Sequence, residues 1–290
     1  MSGPLSTRSF DAPFSDDIPA HWLPGNPAIS AALNIYTVLV PSNEAFYMRT
    51  VAHCLPGIED QALKAAGRDF IHQEAQHGVA HKRFWRVLDS QGYRFRWMDA
   101  FADRAIFRIT ERIAPLAMRM SIVSCIEHIN AFLAHEFLRQ RILADARPEV
   151  RAMIEWHFAE EIEHKAVAYD VLTALWPSYI LRLLGWMLTV ALFYGLTTAG
   201  MCVLLLQDGG FWKLGTWRNF VAHLGARHGM LRRTLRHLFD YLRPSFHPSQ
   251  LDDAALAEDV IARYGHEGAG WLSATRRGTP SAAPTDAQAA

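Results

Sequence analysis

The sequence predicts an all-α protein, a ferritin-like four-helix bundle with additional helices, one of them very hydrophobic. Three observations carry that expectation. Apolar residues recur at helical spacing through most of the chain. Prolines and glycines fall mainly between these periodic segments, where they punctuate. No alternating apolar run of strand length, flanked by turn residues, competes with the helices.

The elements follow in order. Residues 1–27, with Pro4, Pro13, Pro19, Pro24 and Pro27, read as an irregular arm. "AISAALNIYTVLV" is a short apolar helix closed by Pro41, and Ser42 is placed to cap a second, "NEAFYMRTVAHC", that stops before Pro56-Gly57. Glu59 to Leu88 is long and amphipathic, with Gly92 breaking it. A helix from about Asp99 to Arg112 precedes Pro115, which suits the first turn of the next, running to about Ala144. "RPEVRAMIEWHFAEEIEHKAVAYDVLTALW" opens with a proline in its first turn and ends before Pro177. Residues 28–176 thus form the bundle, residues 177–265 add a hydrophobic helix and basic amphipathic helices, and residues 266–290 form a tail expected to be disordered.

Composition narrows the function. At 290 residues, half of them hydrophobic, the chain can build a substantial core. Its 29 basic residues match its 29 acidic ones, so net charge gives no reason to expect a nucleic-acid partner. Cys54, Cys125 and Cys202 lie far apart without a CxxC spacing, which suits reduced thiols in the cytoplasm. The first residues carry acids and prolines where a signal peptide needs an apolar run, so no export is expected.

Histidine is the unusual count, with 14 in the chain. "FIHQEAQH" sets Glu74 and His77 three apart, and "EIEH" repeats the spacing with Glu161 and His164. Residues three apart on a helix lie about 60° apart on its surface, so both side chains reach one ion. A bundle holding two metals also wants one glutamate from each remaining helix. Glu44 and Glu127 fill those places, and Glu127 shares its face with Val123, Ala131 and Ala134. His157, one turn before Glu161, is a seventh candidate ligand. His81 falls near the face of Glu74 and is a candidate to support the ligands from behind. His128 is a second such candidate, although it and His135 lie about 90° from Glu127, where packing is the simpler role. Glu160 and Glu163 point away from the inward side and read as solvated acids.

The pattern Glu44, Glu74-x-x-His77, Glu127, His157-x-x-x-Glu161-x-x-His164 resembles that of the di-iron N-oxygenases that convert aryl amines to nitro compounds. Those enzymes add a third histidine to the usual set, and His157 matches its place. The segments "PSNEAFYMRTV", "FIHQEAQHGVAH" and "YLRPSFHP" are similar to a large bacterial family of ferritin-like proteins called predicted metal-dependent hydrolases, over about Pro41 to Pro248. "PSNE" departs from that family by lacking a glycine before the glutamate.

Carboxylates and imidazoles without a thiolate suit two iron ions, with manganese or zinc as alternatives. Such a pair activates dioxygen for oxidation or oxygenation of a small, hydrophobic substrate, or activates water for hydrolysis. Oxygen chemistry is the first expectation, hydrolysis the alternative, and metal storage without catalysis a third. With no flavin or nicotinamide fingerprint, oxygen chemistry requires an external electron donor.

Leu183 to Leu206, "LLGWMLTVALFYGLTTAGMCVLLL", carries no charge and is long enough to cross a bilayer. The basic amphipathic "HLGARHGMLRRTLRHLFDYLRP" follows, with Trp212 and Trp217 before it. A span would part the bundle from this basic segment, whereas a helix that dips into the inner face of the membrane, packs under the bundle or forms a homo-oligomer contact would not.

Overall fold

In the computed structural model, which describes residues 5–227, 229–265 and 270–274, helices form nearly all the regular structure. In chain order they are α1 (Pro27–Cys54), α2 (Gln61–Ser90), α3 (Arg96–Phe101), α4 (Arg108–Ile113), α5 (Leu116–Arg139), α6 (Pro148–His164) and α7 (Val167–Leu175). Then come α8 (Tyr179–Gln207), α9 (Leu214–Ala222), α10 (Met230–Asp240) and α11 (Ala254–Tyr264). A four-helix bundle of α1, α2, α5 and α6 forms the centre, with α1 packed on α2 and α5 on α6. The fold is all-α, with α8 as its apolar addition.

The expected break at Pro41 does not occur. Pro41 lies inside α1 and leaves the Thr37 carbonyl without its helical donor. Trp85 of α2 supplies one instead, its Nε1–H donating to Thr37 O at 3.2 Å. Ser42 is therefore an interior residue and no cap, and its hydroxyl donates to the Asp99 carboxylate. Glu44 rides on one continuous rod as a result.

Asp60 caps α2 by accepting from the Ala62 and Leu63 amides, at 2.7 and 3.2 Å. Gly92 follows its end with φ +83, a left-handed conformation that favours glycine. The helix expected to run on to Pro177 breaks just after His164 and resumes as α7, with Lys165 reaching across to Leu251 O and Asp253. The arm is irregular but firmly packed: Phe10, Ile18, Trp22 and Leu23 are buried, and Arg83 donates to the Phe10 and Ala12 carbonyls.

Two short strands correct the expectation of none. β1 (Arg8–Phe10) pairs antiparallel with β2 (Leu272–Ala274), Ser9 opposite Ser273. Three residues are too few to display an alternating pattern. The expected disordered tail is likewise corrected over Leu272–Ala274, while residues 266–269 and 275–290 lie outside the described residues.

α8 lies against α1 and α5, its glycines pressed against their side chains. A Cβ at Gly185 would stand 2.1 Å from Ser121 Oγ, and one at Gly200 2.2 Å from Ile35 Cγ1. By length and composition α5 and α8 could each cross a membrane, but 72% of the apolar window of α5 is buried and only 28% of that of α8. α10 runs alongside α8: Tyr179 Oη donates to Leu242 O at 2.8 Å and Trp186 Nε1 to Leu238 O at 3.0 Å. The basic segment expected to be one helix divides at Gly229, φ +58, between the π-helical His223–Arg227 and α10.

Candidate metal centre

Glu44 of α1, Glu74 and His77 of α2, Glu127 of α5, and His157, Glu161 and His164 of α6 converge inside the bundle. None is more than 2% exposed. Two groups of donor atoms form there: Glu44, His77, His157 and Glu161, and Glu74, His77, Glu161 and His164, each with its ligand atoms within 4.8 Å of one another. His77 and Glu161 belong to both. Glu161 can serve both groups, one oxygen to each, whereas His77, with Nε2 turned to Glu160, offers a single nitrogen within reach of either.

His77 Nδ1 lies 3.4 Å from both Glu44 Oε1 and Glu74 Oε2. His164 lies between two acids, Nε2 at 3.3 Å from Glu74 Oε1 and Nδ1 at 3.0 Å from Glu127 Oε2. Glu127 is thus at the centre, although the two compact groups form without it. His157 Nε2 lies 2.8 Å from both Glu161 Oε1 and the Tyr36 hydroxyl, while its Nδ1 lies 2.9 Å from His81 Nε2.

Burying so many carboxylates is costly unless a positive charge or a proton compensates them. Burial drives Glu74 and Glu161 well above the usual carboxylate range, helped by neighbouring acids, and pushes Glu44 up to about 7. Burial works against protonation of His77, yet Glu160, Glu44 and Glu74 outweigh it and raise its pKa. His157 is pushed down, by burial first and then by His77 and His81.

Several ligand atoms lack any hydrogen bond: both oxygens of Glu44 and of Glu127, Oε1 of Glu74, Oε2 of Glu161 and both nitrogens of His164. His157 Nε2 carries one proton or one lone pair, so it serves only one of Tyr36 and Glu161 fully, and Glu161 Oε2 has no hydrogen bond at all. A cation would satisfy the oxygen left over. Orphaned donors, shared residues and a hard-to-borderline ligand set all fit a pair of divalent ions.

Around this centre the sequence expectations divide. His81 is fully buried behind His157, as a supporting residue should be, and burial lowers its pKa to about 3. His128 is not behind the ligands: its Nε2 donates to His237 O at 2.9 Å, and its ring packs on Tyr241 and Phe246. Its angle away from Glu127 turns it toward α10. His135 lies on that side too, 3.4 Å from Asp253.

Glu160 and Glu163 correct a second expectation. Glu160 is fully buried, with Oε2 3.0 Å from His77 Nε2 and Oε1 3.0 Å from Arg8. Glu163 is half-buried and takes two hydrogen bonds from the same arginine. Their side of α6 faces β1 of the arm, so the outward direction is not solvent.

Three residues of the centre were missed altogether. Asn130 donates to Glu161 Oε1 at 3.3 Å, Tyr36 touches His157, and the Tyr47 hydroxyl is buried without a hydrogen bond. Asn130 carried one usable signal, its position three residues after Glu127. The tyrosines carried none.

No curated protein matches the chain. No solved structure matches it either. A family model described as "predicted metal-dependent hydrolase" matches residues 6–252, which include every residue of the centre. The chain therefore belongs to the predicted metal-dependent hydrolase family.

Proposed function

We propose that the chain is a two-metal enzyme that hydrolyses a small apolar ester- or amide-like substrate. The observation that carries this reading is the sharing of His77 and Glu161 between two buried donor groups, joined to the family to which the chain belongs. Bound ions would supply Lewis acidity and make water nucleophilic near neutral pH.

The chain's own residues set what can react. The ligands are closed off from bulk water, so reactants must come through the protein. Tyr36, beside His157, lines an apolar cavity of about 50 Å³ with Phe46, Ile122 and Phe193 and a larger one of about 350 Å³ with Phe158 and Leu133. In this reading the Tyr36 hydroxyl, 2.8 Å from His157 Nε2, turns to orient a substrate carbonyl, and the apolar walls select against charged molecules.

In hydrolysis, the acyl–oxygen bond breaks, the hydroxyl of water joins the acyl carbon, and the proton leaves with the alcohol. Zinc- or manganese-loaded protein should cleave p-nitrophenyl esters, and His77→Ala should abolish cleavage. Inactivity of the metal-loaded protein toward ester, amide and phosphoester panels would overturn the hydrolytic reading.

Oxygen activation by two iron ions is the second reading. Its support is the carboxylate-rich ligand set enclosed behind apolar cavities, which suits dioxygen and a hydrophobic substrate. It requires an external electron donor. Oxygen uptake by the reduced iron form, without esterase activity, would favour it over hydrolysis.

A further inference from the structure

The side of the bundle covered by α8 and α10 is apolar and open. Along the outer face of α8, Ile180 is 70% exposed, Leu184 48%, Met187 56% and Leu188 42%. Beside it α10 turns out Leu231, Leu235 and Phe239, four residues apart, with exposures of 54, 44 and 58%. Such a surface exceeds the scattered apolar residues of an ordinary monomer.

Its edge is cationic. α10 carries Arg232, Arg233, Arg236 and His237 against one acid, Asp240. Arg232 and Arg236 are exposed on the flank beside the leucine stripe. An apolar stripe with an arginine flank is the pattern of a helix lying in a membrane interface. A symmetric pair of chains joined across α10 would set this cationic flank against its own copy. An anionic lipid surface complements both halves of the pattern.

The cavity of about 350 Å³ runs from this face as far as Tyr36, the neighbour of His157. Leu231 and Thr198 stand at its exposed rim, Tyr194, Phe158 and Leu33 line it, and Tyr36 borders it next to His157. Its volume falls in the range of roughly 300–1,000 Å³ typical of ligand cavities. Its walls are almost wholly apolar.

We propose that the α8–α10 face docks on an anionic lipid bilayer and that the cavity takes the hydrocarbon chain of a single-chain lipophilic substrate from that membrane toward the metal centre. Docking stands by itself, whereas delivery to the centre rests on the two-metal reading. Interfacial docking needs no crossing of the bilayer, so the bundle and the basic segment stay on the same side.

The test uses the full, metal-loaded chain. It should float with phosphatidylglycerol–phosphatidylcholine vesicles, less so as salt rises from roughly 0.1 to 0.5 M, and far less with phosphatidylcholine alone. Leu235→Asp with Phe239→Asp should weaken flotation on the order of tenfold or more. Arg232→Gln and Arg236→Gln should each weaken it roughly fivefold.

A fluorescent sixteen-carbon fatty acid should bind the wild type, and Thr198→Trp or Thr234→Trp should weaken that binding about tenfold while flotation persists. Absence of flotation would overturn docking, as would a dimer that Leu235→Asp dissociates in a chain that ignores vesicles. Fatty-acid binding unchanged by both tryptophans would overturn the cavity's role. Metal content, measured on the same samples, separates the readings: vesicle and fatty-acid binding without metal would overturn the two-metal centre alone.

Discussion

Glu160 Oε2 lies 3.0 Å from His77 Nε2, and both side chains are sealed from solvent. His77 is shared by the two donor groups through its other side, so Glu160 fixes both its tautomer and its angle. Arg8 of the N-terminal arm holds Glu160 in turn, at 3.0 Å. Glu160→Gln should weaken metal binding about 10- to 100-fold with the fold retained, as read by chelator competition and circular dichroism. Arg8→Ala should act in the same direction with a smaller effect. Unchanged affinity in Glu160→Gln would remove Glu160 from the support of the centre.

Metal uptake should compete with protons. Glu44 is pushed from 4.5 up to about 7, chiefly by burial, and Glu74 and Glu161 also move upward. A raised pKa gives the metal-free fold stability that is present below the usual carboxylate value and lost as pH rises through the folded value. The metal-free protein should therefore lose thermal stability between about pH 4.5 and 7, while the gain from added zinc or manganese grows across that window. Melting curves with and without metal test both halves. A metal effect independent of pH would contradict them.

His128 makes an opposite contribution. Burial lowers it from 6.5 to about 4, so the stability it confers is present above 6.5 and lost as pH falls through about 4. The loss should amount to roughly 3 kcal/mol. His128→Phe should flatten the acid limb of the stability profile and leave metal content unchanged, because its neighbours are Tyr241, Phe246 and the His237 carbonyl. Loss of metal in this variant would return His128 to the centre.

Gly185 and Gly200 test the seating of α8. Added methyl groups would meet Ser121 and Ile35 at 2.1 and 2.2 Å. Each glycine-to-alanine change should destabilise by about 1–3 kcal/mol in urea unfolding, as expected for an overpacked contact. A neutral result at both positions would mean that α8 does not pack as closely as described.

Residues whose role depends on local spacing were legible in the sequence. Glu74 and His77, like Glu161 and His164, point together because three helical steps return nearly to one face. Continuity of α1 was not legible, since the donor that excuses Pro41 is Trp85 on another helix. Glu160 was misread for a similar reason: helical angle shows that it faces away from Glu161, and only the folded arm makes that direction buried. His128 was placed on the correct side face, but its neighbours on α10 come from far along the chain.

The most direct test is metal stoichiometry by plasma emission after anaerobic loading, compared across two kinds of variant. The wild type should hold about two ions per chain. Glu161→Ala, which removes the carboxylate able to serve both ions, should hold close to none, whereas His77→Ala, His157→Ala and Glu74→Ala, each of which removes a ligand to one ion, should retain about one. A wild-type chain without bound metal, or equal losses in all four variants, would contradict a centre of two ions joined through Glu161.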